Sequence, residues 1–144
     1  MPSVERTVTV DQPIEKVWAY LSDFTTTEQW DPPTRSTVRT SGDGGVGTTY
    51  HNVSSILGSD QDVGYTVTEF VENRRFQLEG DAGKSLKLRD TITFESTGTG
   101  TSVTYHAEFE LQGVAKLTTP LMPPALKVLA DRVAGSLEEK LAAL

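Results

Sequence analysis

Hydrophobic positions in this 144-residue chain recur with two distinct periods, and the change from one to the other divides it into elements. Val4, Val8 and Val10 share one face of Ser3 to Val10 among threonines that favour extended backbone, which predicts a strand at a sheet edge. Pro13 can open a helix because the first turn needs no donor from its nitrogen, and Ile14, Val17, Trp18 and Leu21 follow at helical spacing. Ser22 and Asp23 end that helix. Phe24 to Trp30 fit a second short helix, which Pro32 and Pro33 stop. From Thr34 to Leu111 the period shortens to two, with glycine and aspartate breaks about every 10 residues. These breaks predict strands near 34–41, 46–57, 62–72, 74–80, 86–96 and 101–111, seven with the first.

The alternation is clearest in the last two strands. Leu86, Leu88, Ile92 and Phe94 share one face against Lys87, Arg89, Thr91, Thr93 and Glu95 on the other. Val103, Tyr105, Ala107, Phe109 and Leu111 likewise oppose Thr104, His106, Glu108 and Glu110. A sheet wet on one side needs a cover on its apolar side. Leu126, Leu129, Val133, Leu137, Leu141 and Leu144 supply it as an amphipathic helix from Pro124 to Ala143, with Lys127, Asp131, Arg132, Glu138 and Glu139 mostly opposite. Ahead of this helix Pro120, Pro123 and Pro124 interrupt Leu117, Leu121 and Met122, so any cavity beneath it is expected to open near Thr118 to Pro124.

Composition narrows what such a layer can do. One domain spanning 1–144 fits this length, and folding at this size buries roughly 68% of the chain's surface without disulfide or metal support. The formal charge of −7, from 20 carboxylates against 13 Lys plus Arg, disfavours nucleic acid and anionic membrane surfaces as partners. With no cysteine there is no thiolate nucleophile and no Cys-type metal site. The first ten residues lack the pattern of a signal peptide and no apolar run approaches a membrane span, so a cytoplasmic location is expected.

The element order, together with Val17-Trp18, Leu21, Asp23-Phe24 and Trp30-Asp31, resembles the helix-grip fold of the START-like (SRPBCC, Bet v 1) superfamily, in its polyketide cyclase/dehydrase branch. Gly47-Thr48, Val67-Thr68-Glu69-Phe70 and Arg74-Arg75-Phe76 extend the likeness over essentially the whole chain. The resemblance implies an α+β fold in which a curved seven-stranded antiparallel sheet wraps a long C-terminal helix, with two short helices between strands 1 and 2. It also implies an apolar cavity between sheet and helix. Members bind lipids, polyketides, hormones or other small hydrophobic molecules, and a minority catalyse cyclisation or dehydration. Fold alone does not choose among these.

Asp90 is the most informative residue, because period two aims it inward between Leu88 and Ile92, where a carboxylate needs a partner. A loop at 81–85 would set Phe76 opposite Asp90 and Arg74 diagonally near, making an Asp90–Arg74 ion pair one reading. A turn at Gly98-Thr99 or Thr99-Gly100 sets Tyr105 beside Ile92 or Phe94, so Asp90 and Tyr105 facing a cavity make ligand contact or proton transfer the other. His51 is a further proton-transfer candidate on a strand whose facing is open, whereas His106 alternates with glutamates on the wet face. Two histidines so separated do not suggest a metal site. Trp18 and Trp30 read as core, and Asp23 as a local cap. Gly42-Asp43-Gly44-Gly45 leads into a strand, not a helix, so it reads as a turn and not as a phosphate loop.

These observations lead to a binding site for a small hydrophobic or amphipathic molecule, without cofactor, walled by Phe76, Leu78, Leu88, Asp90, Ile92, Tyr105, Ala107, Leu121, Leu126 and Leu129. A cofactor-free cyclase or dehydratase using Asp90, Tyr105 or His51 is the alternative from the enzyme class. A protein-interaction module is the third.

Overall fold

The computed structural model describes residues 2–56, 58–83, 86–112 and 122–144, and in it the period-two region folds as one sheet. The elements run β1 (Ser3–Val10), α1 (Ile14–Leu21), a 3-10 turn (Phe24–Thr26), α2 (Thr27–Trp30), β2 (Thr34–Ser41), β3 (Thr49–Ile56) and β4 (Ser59–Val71). They continue with β5 (Arg75–Asp81), β6 (Leu86–Ser96), β7 (Thr101–Leu111) and α3 (Met122–Ala142). The strand order β1-β7-β6-β5-β4-β3-β2 is antiparallel throughout and leaves β1 and β2 at the edges. No described helix is long and apolar enough to cross a membrane. Residues 113–121 lie outside the described residues, and with them Leu121 and most of the expected opening at Thr118 to Pro124.

Strand boundaries differ from the sequence expectation where turn chemistry overrides alternation. β3 begins at Thr49 because Gly42, Gly44 and Gly47 adopt φ of 93°, 110° and 89°, which hold the preceding residues in a loop. β4 begins at Ser59 because its ladder with β3 runs to the pair Ile56 and Ser59. At the other end of β4, Asn73 takes φ 61°, a left-handed turn position that asparagine tolerates. Pro13 stands just before α1, and its carbonyl accepts from the amides of Lys16 and Val17 at 3.1 Å.

The inner face is covered twice. α3 lays Leu126, Ala130, Val133, Leu137 and Leu141 into the core and leaves Lys127, Asp131, Arg132, Glu138 and Glu139 exposed. Asp131 pairs with Arg6 of β1 at 3.0 Å, and the Gln12 amide donates to the carbonyls of Ala142 and Leu144 at 3.1 Å each, which ties the helix end to the first strand. The second cover comes from α1 and the 3-10 turn. Trp18 meets Phe94, Phe70 and Phe76 edge-on at ring-centre distances of 5.0, 5.1 and 6.3 Å, and Phe24 meets Tyr65 and Phe76 at 4.8 and 6.3 Å. Such edge-on aromatic pairs add to the gain from burial itself.

Leu137 is 1% exposed, and its truncation to alanine is expected to cost about 2–5 kcal/mol in urea unfolding. Removing residues 126–144 takes away the whole α3 stripe, and the remaining chain should show no cooperative unfolding transition by circular dichroism. A sharp transition in that truncation would mean that the sheet is stabilised without α3.

Candidate functional site

Strand pairing determines what Asp90 meets. β5 continues to Asp81 opposite Lys87, and the Ala82 amide closes the hairpin on the Leu86 carbonyl at 2.9 Å, so Leu78 lies opposite Asp90 and Phe76 opposite Ile92. The expected register is therefore off by two residues, with Leu78 in the place expected for Phe76. Arg74 consequently falls at the far end, where its carbonyl accepts from the Phe94 amide at 2.9 Å. Phe94 is four residues from Asp90 along β6, about 13 Å at ~3.3 Å per residue, so the Asp90–Arg74 ion pair does not form. On the other side the register is as expected for the Gly98-Thr99 turn, with Ile92 opposite Tyr105 and Asp90 opposite Ala107.

Asp90, 4% exposed, accepts from the Tyr105 hydroxyl at 3.2 Å, and the Tyr65 phenol is directed at the same carboxyl. Tyr65 owes its position to Gly80, its partner across the β4–β5 ladder, where a Cβ would stand 2.7 Å from the tyrosine ring. The aspartate and both tyrosines line a cavity of about 50 Å³. Leu88, Phe109 and Leu129 give it an apolar side, and Trp30, whose ring centre is 5.7 Å from that of Tyr105, closes one end.

Its remaining wall comes from α2, β2 and β3. Asp31 follows Trp30 at the end of α2, and its position before two prolines restricts it to extended backbone, observed at φ −104°, ψ 100°. The Asp31 carboxylate accepts from the Thr34 hydroxyl at 2.6 Å. Asn52 and Ser54 point inward from β3, and Ser54 donates to the Asn52 side-chain oxygen at 2.6 Å. The Asn52 amide in turn donates to Thr37 at 2.8 Å, and Thr37 contacts Thr27 at 2.7 Å.

Electrostatically the site is unbalanced. Burial pushes the Asp90 carboxyl up to about 7, the charge of Asp31 pushes the same way, and hydrogen bonds from Tyr105 and Tyr65 only partly oppose them. Burial likewise raises Asp31 to about 6 against the pull of Thr34. Both phenols are held far above their ordinary range, first by burial and then by the Asp90 charge. Among the described residues no Lys, Arg or His lines the cavity.

Of the ten expected wall residues, Leu88, Asp90, Tyr105 and Leu129 line this cavity. Phe76, Leu78, Ile92, Ala107 and Leu126 are instead buried in the core, and Trp18 and Phe24 fill the part of the grip next to Phe76. His51 points outward and bonds Asp62 at 3.0 Å, away from the cavity that Asn52 and Ser54 face on the same strand. Asn52, Ser54 and Tyr65 were not singled out from the sequence, and Asp31 entered there only as part of the family resemblance. Tyr50 carried a usable signal for β3: a large aromatic on the even positions favours that face as the inner one, and Tyr50 is 2% exposed. A larger hollow of about 680 Å³ lies outside, between residues 22–25 and the loop at 43–45. Two of its carboxylates are engaged locally, Asp23 by the Thr25 amide and hydroxyl and Asp43 by the Gly45 amide.

Comparison with known proteins yields a family and a fold. Residues 1–142 match the family model described as polyketide cyclase/dehydrase and lipid transport. No curated protein matches the chain. TTHA0849 from Thermus thermophilus superposes with a TM-score of 0.81 at 19% identity, covering 99% of this chain and 98% of its own. The Zhui aromatase/cyclase from Streptomyces sp. R1128 reaches 0.81 at 12% identity, over 96% and 92% of the two chains. A START superfamily protein from Mycobacterium smegmatis gives 0.70 at 19% identity, over 95% and 97%. At these identities the likeness establishes the helix-grip fold.

The raised carboxyls predict an unusual pH dependence of stability. Unfolded aspartates titrate near ~3.9, below the folded values of about 6 for Asp31 and about 7 for Asp90, so between these limits the folded state holds more protons. Stability is therefore fullest below pH ~4 with respect to these groups and falls as pH rises through 6 to 7, by about 2–4 kcal/mol for Asp90 at ~1.4 kcal/mol per pKa unit. Asp90→Asn should remove most of that fall and be more stable than the parent at pH 8 in urea titrations. An Asp90→Asn protein less stable than the parent at pH 8 would contradict the absence of a cationic partner.

Proposed function

The chain belongs to the polyketide cyclase/dehydrase and lipid transport family, and from that premise we propose that it binds a small amphipathic molecule of lipid- or polyketide-like character. The polar end of the ligand lies against Asp90 and Tyr105, and its apolar body runs along Leu88, Phe109 and Leu129 beneath α3. The observation that carries this reading is the Asp90–Tyr105 hydrogen bond at 3.2 Å on the wall of an internal cavity, with no cation on that wall among the described residues. Burying a carboxyl there costs stability unless something is gained elsewhere. A ligand bound by that carboxyl is such a gain. The cavity of about 50 Å³ has room for a few water molecules, whereas drug-sized ligands occupy ~300–1,000 Å³. Binding therefore includes an outward movement of the cover over this part of the sheet.

A second reading, cofactor-free dehydration or cyclisation, is favoured by the convergence of Asp31, Asp90 and Tyr105 on one volume. An acid that titrates at about 7 is matched to proton transfer near neutrality. In a dehydration the Asp90 carboxyl hands its proton to a departing hydroxyl, which leaves as water, and the Asp31 carboxylate takes the proton released from the adjacent carbon. Exchange with solvent then restores both groups. His51 has no part in this, because it lies on the outer face.

Native mass spectrometry of protein purified from its own host, followed by extraction of the bound compound, tests the reading directly. Tyr105→Phe should lower affinity for that compound about 5–10-fold, as expected for one lost hydrogen bond, while costing only ~1 kcal/mol in stability. Unchanged affinity in Tyr105→Phe would remove this end of the cavity from the binding site, and turnover of the extracted compound by the parent protein would select the catalytic reading.

A further inference from the structure

The direction of each hydrogen bond around the cavity can be assigned, and together these directions limit the ligand. The chain of contacts on the β3 side is anchored at the Phe24 carbonyl, which only accepts, so the Thr27 hydroxyl gives it its one proton at 2.8 Å. Thr37 must then donate to Thr27 at 2.7 Å, and it can only accept from the Asn52 amide at 2.8 Å. That fixes the orientation of Asn52, whose oxygen receives the Ser54 proton at 2.6 Å. Thr34 gives its proton to Asp31, Tyr105 gives its proton to Asp90, and the Trp30 indole N–H is engaged by Thr26 at 3.1 Å. The Tyr65 phenol is directed at Asp90 as well. The side-chain donors of Thr27, Trp30, Thr34, Ser54 and Tyr105 are thus occupied within the protein, the second Asn52 N–H reaches Thr34 at 3.4 Å, and what remains facing the cavity is mostly acceptor: lone pairs of Ser54, Thr34 and Tyr105 and the oxygens of Asp31 and Asp90.

We propose that the polar end of the ligand is a protonated amine, held between Asp31 and Asp90 with the rings of Trp30 and Tyr105 beside it. This rests on the binding reading above and names the class of its ligand. An ammonium group carries three donors and no acceptor, which complements a wall of acceptors. An alcohol offers one donor, and a carboxylate offers none and meets two like charges. The aromatic rings favour a cation for the same electrostatic reason. The raised titration of both carboxyls agrees, since it records the lack of a positive charge that an ammonium ligand supplies.

Three probes with one ring and different heads separate this inference from the reading beneath it: 2-phenylethylamine, 2-phenylethanol and phenylacetate. Each is titrated into isotope-labelled full-length protein at pH 7.5 while the Trp30 indole signal and the Ser54 and Tyr105 amides are followed by NMR. The amine should bind at least about tenfold tighter than the alcohol, and phenylacetate should bind weakest. Asp31→Asn should shrink the amine's advantage over the alcohol to about threefold or less. If the alcohol or phenylacetate binds as tightly as the amine at these signals, the ammonium inference is overturned and the binding site stands. If none of the three moves these signals, the binding reading falls as well.

Discussion

The packing of Phe76 against Trp18, Phe24 and Phe70 decides how much of this fold is empty. The concave face of the sheet is largely apolar, apart from Asp90 and the Thr37, Asn52 and Ser54 patch, and one helix cannot cover it all. α1 and the 3-10 turn place two large aromatic rings over the β4–β6 region, leaving α3 to cover the remainder. The interior is therefore divided, with one half solid and the other holding a small polar-lined void between Trp30, Tyr65, Tyr105 and α3. Site and core are two outcomes of one allocation of ring volume.

Most of the architecture was legible from periodicity, because a half-buried strand and an amphipathic helix each leave a repeat that does not depend on remote contacts. Seven strands, both short helices and the leucine stripe from Leu126 to Leu141 could all be read this way. What could not be read depended on shifts of one or two residues. A register shift of two residues separates an Asp90–Arg74 ion pair from an Asp90 facing Tyr105 and Tyr65, and that shift was decided by whether Asp81 belongs to strand or loop. The inward facing of Asn52 and Ser54 likewise hung on one parity choice in β3, where small polar residues lie on both faces and only Tyr50 indicates the direction.

Asp31 was hidden for another reason. Its neighbours in sequence explain its backbone but not its surroundings, since the carboxyl shares a cavity with Asp90 only once α2, β2 and β3 come together in the fold. Two acids brought together in this way oppose folding, and a sequence selected for stability alone would replace them with neutral side chains of similar size. Their presence makes the interior a compromise in which the aromatic half supplies the stability that the polar half gives up.

Gly80 gives the site a control point outside itself. No side-chain atom of this residue donates, accepts or carries charge, yet the hydrogen it bears in place of a methyl group is what allows the Tyr65 ring to lie across the strand and direct its phenol at Asp90. The acidity of the cavity is thus governed in part by a steric vacancy on a neighbouring strand. Change at this position would act on proton affinity through shape alone, so the chemistry of the pocket can drift while every polar residue in it stays the same.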